Sequence, residues 1–341
     1  MCTCITFHAS EFYFGRNLDL EESFGERVVV TPRKYSFHFR YLPELHHHYA
    51  MVGMANVTED YPLYAEAVNE KGLCMAGLYF PGNACYHPRK FGKTNIASYE
   101  LIPWILGTCK RANEAVDLLK KATVTNDAFS ELLPPAPLHW MLADKDNCYV
   151  LEPVEEGLKI YPDPLGVLTN NPPFPYHLEH IRNYLHLTPE TPKNQFAKLL
   201  ESVEEPGKWA LTPYGEGMGA IGLPGDASPA SRFVRAAFLK WNSVCAADTA
   251  AELSQFFHIL DGVSMVRGSV RTETGKYETT RYTCCIRPKE GLYYYKTYDN
   301  SQIYGINLYR EELDGNRLSA YEMESDQPMV WKNGGNRGNE R

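Results

Sequence analysis

Short runs in which apolar or β-branched residues alternate with polar ones dominate the first 90 residues of the chain. Cys2–Phe7 and Phe12–Phe14 read as strands joined by a turn at His8–Glu11, and Arg27–Thr31, Tyr35–Tyr41 and Tyr49–Met54 read as further strands. Leu63–Val68 and Leu73–Phe80 flank Asn69-Glu70-Lys71-Gly72, a hairpin in which Gly72 supplies the positive φ of the turn. The spacing then lengthens. Ser98 can cap a helix to about Thr108, with Pro103 kinking it or shifting its start. Apolar residues at 115, 116, 118 and 119 predict a short amphipathic helix over Asn113–Ala122. Strands return at Leu138–Leu142, Cys148–Glu152, Leu158–Tyr161 and Gly166–Thr169. Helices over Pro229–Trp241 and Thr249–Leu260 follow, then strands over Glu278–Ile286, Leu292–Thr297 and Ile303–Leu308.

Strands, helices, strands, helices, strands, mostly joined by hairpin-like turns, predict an α+β protein with largely antiparallel sheets rather than a doubly wound parallel one. No fixed-period repeat or linker divides the chain, so residues 1–331 read as a single domain. The tail, residues 332–341, is polar and glycine-rich and reads as disordered.

Composition narrows the function more than the fold. A net charge of −8 gives no electrostatic reason to bind nucleic acid. No stretch approaches the ~20 apolar residues of a membrane-spanning helix. The N-terminus lacks the basic and apolar regions of a signal peptide, so the expected location is the cytoplasm. Nine cysteines, an odd number in a large chain without a secretory address, argue against a disulfide framework. The 23 Tyr and 15 Phe fit a strand-rich core and an aromatic pocket.

Candidate chemistry begins at Met1-Cys2. Removal of an initiator Met before a small residue leaves Cys2 with a thiol and an α-amine on one residue. Unperturbed, these groups have pKa values near ~8.5 and ~7.7–8.0, so the amine can take the thiol proton without a histidine. Gly15-Arg16-Asn17-Leu18-Asp19 follows the strand that pairs with the first, which returns it toward Cys2. Arg16 there would stabilise a thiolate and Asp19 would orient an α-ammonium. Asn170, in Leu168-Thr169-Asn170-Asn171-Pro172-Pro173-Phe174, ends a strand and could donate to an oxyanion. The glycine-rich stretch from Gly215 to Asp226 lacks the Lys-Ser/Thr of a phosphate loop, and Ser231-Arg232 opens the helix after it. Taken singly, each has a plainer account: a frayed terminus, a turn with a local ion pair, a surface arginine.

In order along the chain, however, these motifs resemble the choloylglycine hydrolase family. The likeness rests on Cys2-Thr3, Gly15-Arg16-Asn17-Leu18-Asp19, Asn69-Glu70-Lys71-Gly72-Leu73, Leu168-Thr169-Asn170-Asn171-Pro172 and Gly222-Leu223-Pro224-Gly225-Asp226 with Pro229-Ala230-Ser231-Arg232-Phe233. Met265-Val266-Arg267-Gly268 and Tyr294-Tyr295 with Thr297-Tyr298 extend it to about residue 310. The resemblance implies an αββα Ntn-hydrolase sandwich that cleaves linear amides with Cys2 as nucleophile and its own amine as base. It further implies Arg16, Asp19 and Arg232 around the nucleophile, Asn170 and Tyr79 at the oxyanion hole, no cofactor, and a homotetramer. The substrate it implies is a conjugated bile salt, held in a groove lined by Leu18, Ala65, Phe129 and Leu133 and carried by two loops, Val57–Tyr64 and Asp127–Pro137. The position after Gly77-Leu78 is Asn in typical bile salt hydrolases and Tyr in penicillin V acylases; here it is Tyr79. Penicillin V acylase is therefore the alternative within the family, while Phe80-Pro81-Gly82-Asn83-Ala84 favours the bile salt branch. The loop Tyr214–Gly219 is the candidate contact for the leaving group.

A different class of function is a thiol- or metal-binding module built from Cys2, Cys4 and His46-His47-His48. Consecutive histidines diverge and a lone CxC is a weak motif, so no metal is expected.

Overall fold

The computed structural model describes residues 1–197, 200 and 210–333. The elements in chain order are β1 (Cys2–His8), β2 (Phe12–Leu20), β3 (Arg27–Thr31), β4 (Met51–Thr58), β5 (Tyr61–Asn69), β6 (Cys74–Tyr79), β7 (Thr94–Ala97), α1 (Leu101–Thr108), α2 (Ala112–Leu119), β8 (Ala122–Thr125), β9 (Leu138–Ala143), β10 (Cys148–Val154), β11 (Gly157–Pro162), β12 (Val167–Leu168), α3 (Phe174–His180), α4 (Pro229–Trp241), α5 (Thr249–Asp261), β13 (Thr279–Arg287), β14 (Leu292–Thr297), β15 (Tyr304–Asn307) and β16 (Ser319–Glu322). One sheet has the order β12-β1-β2-β13-β14-β15 and the other β11-β10-β9-β6-β5-β4-β3-β16. Every pairing within them is antiparallel.

Side-chain alternation builds the layers. On β3, Val28 and Val30 enter one apolar cluster and Val29 the other; on β6, Cys74, Ala76 and Leu78 part from Met75 in the same way. The larger sheet is thus buried on both faces. Its inner face meets the six-stranded sheet, and its outer face meets α1 through β5 and β6. The outer face of the six-stranded sheet is covered by α4 over β1 and β12 and by α5 over β2 and β13. The result is the expected αββα sandwich.

Local chemistry explains the turns. Asn69 Oδ1 accepts from Lys71 and Leu73 N–H, both at 3.0 Å, while its Nδ2 donates to the carbonyls of Leu106 and Cys109 at the end of α1. That one amide closes the β5–β6 hairpin and ties it to a helix. Gly72 has φ 88°, as the turn requires. At the start of α4 the Ser228 side chain caps Ser231 N–H, and Pro229 occupies the first turn, where its missing N–H costs nothing.

The structure corrects several elements. Phe12–Phe14 is only the start of β2, which continues through the polar run to Leu20. Tyr35–Tyr41 is not a strand. Phe37 makes a single bridge to Leu45, and its ring packs against Tyr35, Phe39, His48 and Tyr61, so the aromatic run fills a core instead of a ladder. Ser98 does not cap α1: Ser98–Glu100 form a 3₁₀ turn in which Glu100 Oε2 accepts from Ala97 N–H, and Pro103 falls in the first helical turn. α2 stops at Leu119 because Ala122 opens β8, which pairs in parallel with β7. The pattern gave no sign of α3, β7, β8 or β16. Of the tail, residues 334–341 lie outside the described residues.

Candidate active site

β1 begins at Cys2 and pairs with β2 through Cys2–Leu18, Thr3–Asn17 and Cys4–Arg16. Alternation sends Cys2, Cys4, Arg16 and Leu18 between the sheets, and Thr3, Asn17 and Asp19 toward the helices. Gly15 lets β2 lie close to β13: a Cβ there would come within 2.1 Å of the Cys284 carbonyl oxygen. The polar side chains of this strand are satisfied by tertiary partners. Asn17 donates to the Leu260 carbonyl and accepts from Thr283 Oγ1, each at 2.8 Å.

The Cys2 sulfur is buried and contacts Arg16 Nη2. Arg16 Nη1 donates to the Gly77 carbonyl and lies 3.7 Å from Glu66 Oε2. Burial works against the arginine charge, but Cys2, Tyr282 and Glu66 outweigh it, so the Arg16 pKa is raised. From the other side, α4 delivers Arg232. Its Nη1 donates to the Cys2 carbonyl and to Thr3 Oγ1 (2.7 Å), its Nη2 to Asn170 Oδ1 (2.7 Å) and its Nε to the Ala227 carbonyl (2.9 Å). Asn170 Oδ1 also accepts from the Cys2 nitrogen at 2.9 Å. Two buried guanidinium groups thus flank a buried thiol whose main-chain nitrogen is held by Asn170.

Asp19 accepts from Thr280 Oγ1 at 2.6 Å, while its buried Oδ2 has no partner among the described residues. Burial pushes its carboxyl up, opposed by Arg232 and the amino terminus. The Met1 ammonium donates to the Asp19 carbonyl (2.7 Å) and to Glu278 Oε1 (3.0 Å). An orphan carboxylate oxygen close to a chain terminus is suited to receive an ammonium.

The edge of β6 completes the arrangement. Phe80 N–H donates to the Pro137 carbonyl, which makes Tyr79–Leu138 a non-hydrogen-bonded pair of the β6–β9 ladder. The peptide groups of Gly77 and Tyr79 therefore point away from β9. On that side β5 pairs only as far as Ala76. Accordingly the Gly77 carbonyl receives Arg16 and the Tyr79 carbonyl receives Asn170 Nδ2 at 2.6 Å. The Tyr79 N–H lies on the same side, and Asn170 retains a second N–H. A thiol, an adjacent main-chain nitrogen, two cations and two N–H donors at one strand end suit nucleophilic attack on a carbonyl.

The comparisons agree with this geometry. Residues 2–321 match the model of the linear amide C–N hydrolases, choloylglycine hydrolase family. The chain belongs to this family. It is 48% identical, over 96% of its length and 98% of the relative's, to a bile salt hydrolase/transferase of Lactiplantibacillus plantarum. It is 38% identical, over 94% and 96% of the two lengths, to a bile salt hydrolase/transferase of Clostridium perfringens. The crystal structure of the C2A mutant of a conjugated bile acid hydrolase from Clostridium perfringens superposes with a TM-score of 0.88 at 36% identity, covering 98% of this chain and all of that one. A penicillin V acylase from Agrobacterium tumefaciens shares the fold, with a TM-score of 0.73 at 18% identity and coverage of 94% and 90%.

For this choloylglycine hydrolase family member, the structure brings Cys2, Arg16, Asp19, Tyr79, Asn170 and Arg232 together. Leu18 and Ala65 belong to the cluster that contains Cys2. Phe129 does not: it packs with Tyr61 and Tyr99 against the other cluster, and Leu133 is exposed in the same loop. Both His48 ring nitrogens face backbone carbonyls, and no group of three or more metal-ligating side chains occurs among the described residues. Glu66, Thr280, Glu278 and His177 were missed from sequence. Only Glu66 carried a signal, a lone charge between Ala65 and Ala67 in an otherwise apolar strand.

His177, on α3, donates through Nε2 to the Asn170 carbonyl at 3.1 Å and stacks on Phe233. Burial lowers its pKa from 6.5 to about 4. Between those values the unfolded chain binds the extra proton, so the contribution of His177 to stability is present above pH 6.5 and lost as pH falls toward 4. Asp163, pushed up to about 6 by burial, titrates in the opposite sense, so the difference between variants is the useful reading. On moving from pH 7 to 4.5 in urea titrations, His177→Gln should lose on the order of 2 kcal/mol less stability than the parent. Equal losses would show that His177 does not titrate this way.

Proposed function

We propose that this chain is a conjugated bile salt hydrolase that cleaves the amide bond of glycine- or taurine-conjugated bile acids. The observation that carries the mechanism is the Cys2 site: its sulfur against Arg16, its nitrogen held by Asn170, and the open β6 edge beside both. The near-full-length similarity to bile salt hydrolases supports the substrate class.

In this reading Met1 is removed and the Cys2 nitrogen becomes the α-amine. The amine takes the thiol proton, and Arg16 stabilises the thiolate. The sulfur attacks the amide carbonyl. The oxyanion is held by Tyr79 N–H and the second N–H of Asn170. The α-ammonium, oriented by Asp19 and Asn170, then protonates the leaving glycine or taurine nitrogen. Water hydrolyses the thioester and restores the thiol. Arg232 fixes Asn170 and the Cys2 carbonyl. Leu18, Ala65 and the loop bearing Leu133 supply apolar contacts to the steroid; Phe129 supports that loop from within, and Tyr214–Gly219 faces the leaving group.

Residues 1–331 act as one Ntn-hydrolase domain, assembled as a homotetramer in the cytoplasm. The nine free cysteines favour a reducing compartment. No helix among the described residues is long and apolar enough to cross a membrane.

Glycocholate, taurocholate and penicillin V assayed side by side test the substrate. The expected result is faster release from the bile salts. Faster turnover of penicillin V would instead assign the chain to the acylase branch and make the Tyr79 side chain the determinant, with Tyr79→Asn as the variant that should restore bile salt preference.

A further inference from the structure

Glu66 is a fully buried carboxylate between the sheets, and the chemistry proposed for Cys2 does not use it directly. It projects from β5 toward the six-stranded sheet. Tyr282 Oη donates to it, at 3.0 Å from Oε1 and 2.8 Å from Oε2, and Tyr293 Oη donates to Oε1 at 2.6 Å. Oε2 lies 3.7 Å from Arg16 Nη1, and the opposite nitrogen of that guanidinium touches the Cys2 sulfur. Sulfur, guanidinium and carboxylate thus form one line from β1 through β2 to β5, with the guanidinium and the carboxylate fully buried between the sheets.

From this geometry we infer that Glu66 is a positioning residue that, through Arg16, sets how strongly the Cys2 thiolate is stabilised. The inference rests on the reading of Cys2 as nucleophile. An arginine shared by a thiolate and a carboxylate offers each only part of its field. The two tyrosine hydroxyls that donate to the carboxylate favour its ionised form, so its negative charge is felt at Arg16. Burial pushes the Glu66 carboxyl up, while Arg16 and the two tyrosine hydroxyls act against that rise, so the cluster works to keep the carboxylate charged. The other ionisable groups near the pair are known. Arg16 and Asp19 come from β2, Cys4 from β1 and Arg232 from α4, while Tyr282 and Cys284 come from β13, Tyr293 from β14, and Glu278 lies by the amino terminus.

The test is the pH dependence of Cys2 alkylation by iodoacetamide, followed by mass spectrometry on the processed protein and on Glu66→Gln. Gln is isosteric, and the tyrosine hydroxyls can rotate to accept from its amide, so the hydrogen-bonded frame is kept. Loss of the negative charge leaves the whole Arg16 field to the sulfur. The alkylation midpoint should therefore move down by about one pH unit, a roughly tenfold gain in thiolate below the midpoint. Glu66→Asp, which keeps the charge, should stay near the parent. An unchanged or raised midpoint in folded Glu66→Gln overturns the inference, because a merely structural glutamate would not move this profile. Should Glu66→Gln fail to fold, the Tyr282→Phe/Tyr293→Phe double variant serves. A carboxylate stripped of its hydroxyl donors takes up a proton more readily and the midpoint falls with it; an unchanged midpoint there also overturns the inference. Assaying hydrolysis before and after alkylation of the parent keeps the two readings apart. Hydrolysis that survives full Cys2 alkylation would sink the nucleophile assignment, whereas the midpoint comparison speaks only to Glu66.

Discussion

Cys2→Ala is expected to remove amide hydrolysis, by roughly 10⁴-fold or more, while the protein stays folded. The size of the effect follows from the roles concentrated on one residue. In the proposed chemistry the sulfur makes the bond to the carbonyl carbon and the nitrogen of the same residue moves the proton. No other group near the site can take over the first role. Cys4 is on the same strand face but is fully buried two residues farther in, and burial pushes its thiol pKa well up. Cys284 and Cys285 are buried on β13, and their pKa values are raised for the same reason. The fold should tolerate the change because only the sulfur atom is removed. The β1–β2 pairing, the Asn170 contact to the Cys2 nitrogen and the Arg232 contact to its carbonyl all use the main chain. Circular dichroism and urea midpoints should therefore stay close to the parent. Cys2→Ser keeps a nucleophile of much higher pKa and should be far slower than the parent. Turnover by Cys2→Ala near the parental rate would end the nucleophile assignment.

Different parts of this site were legible in the sequence to different degrees, and the reason is physical. Strands such as β14 and helices such as α4 have an apolar side facing a core, and their periodicity gives them away; both were placed with the observed bounds. β2 was cut short because Gly15-Arg16-Asn17-Leu18-Asp19 is a buried polar run. Its stability comes from partners on β13, α5 and β6 that no local pattern contains. The motif was recognisable only as a resemblance, yet its place in a central strand is what sets Arg16 against Cys2. α3 was hidden by the prolines around Phe174. Tyr35–Tyr41 misled in the opposite way: aromatic residues suit strands, but here they pack as a loop-borne cluster. Glu66 could be noticed as an anomaly, but its partners Tyr282 and Tyr293 lie more than 200 positions away in the chain.

Asn170→Ala should lower kcat by about 10²–10³-fold with little change in KM. Asn170 connects three parts of the site. Its Oδ1 accepts from the Cys2 nitrogen and from Arg232, and its Nδ2 donates to the Tyr79 carbonyl. One N–H is thereby spent holding the amide plane, which leaves the second directed along the face where Tyr79 N–H also lies. A donor fixed in this way gains most when charge develops on the substrate oxygen, so its loss should fall on kcat. Truncation also leaves Arg232 with one acceptor fewer in a fully buried position, where burial already lowers its pKa. Asn170→Asp separates these contributions. A carboxylate keeps the contacts to the Cys2 nitrogen and Arg232, but it has no N–H for the oxyanion and faces the Tyr79 carbonyl with a second acceptor. It should therefore fold and bind substrate, yet lose at least as much kcat as Asn170→Ala. Steady-state kinetics on a conjugated bile salt decide the matter. A variant whose KM rises while kcat holds would place Asn170 in substrate binding and leave Tyr79 N–H as the oxyanion donor.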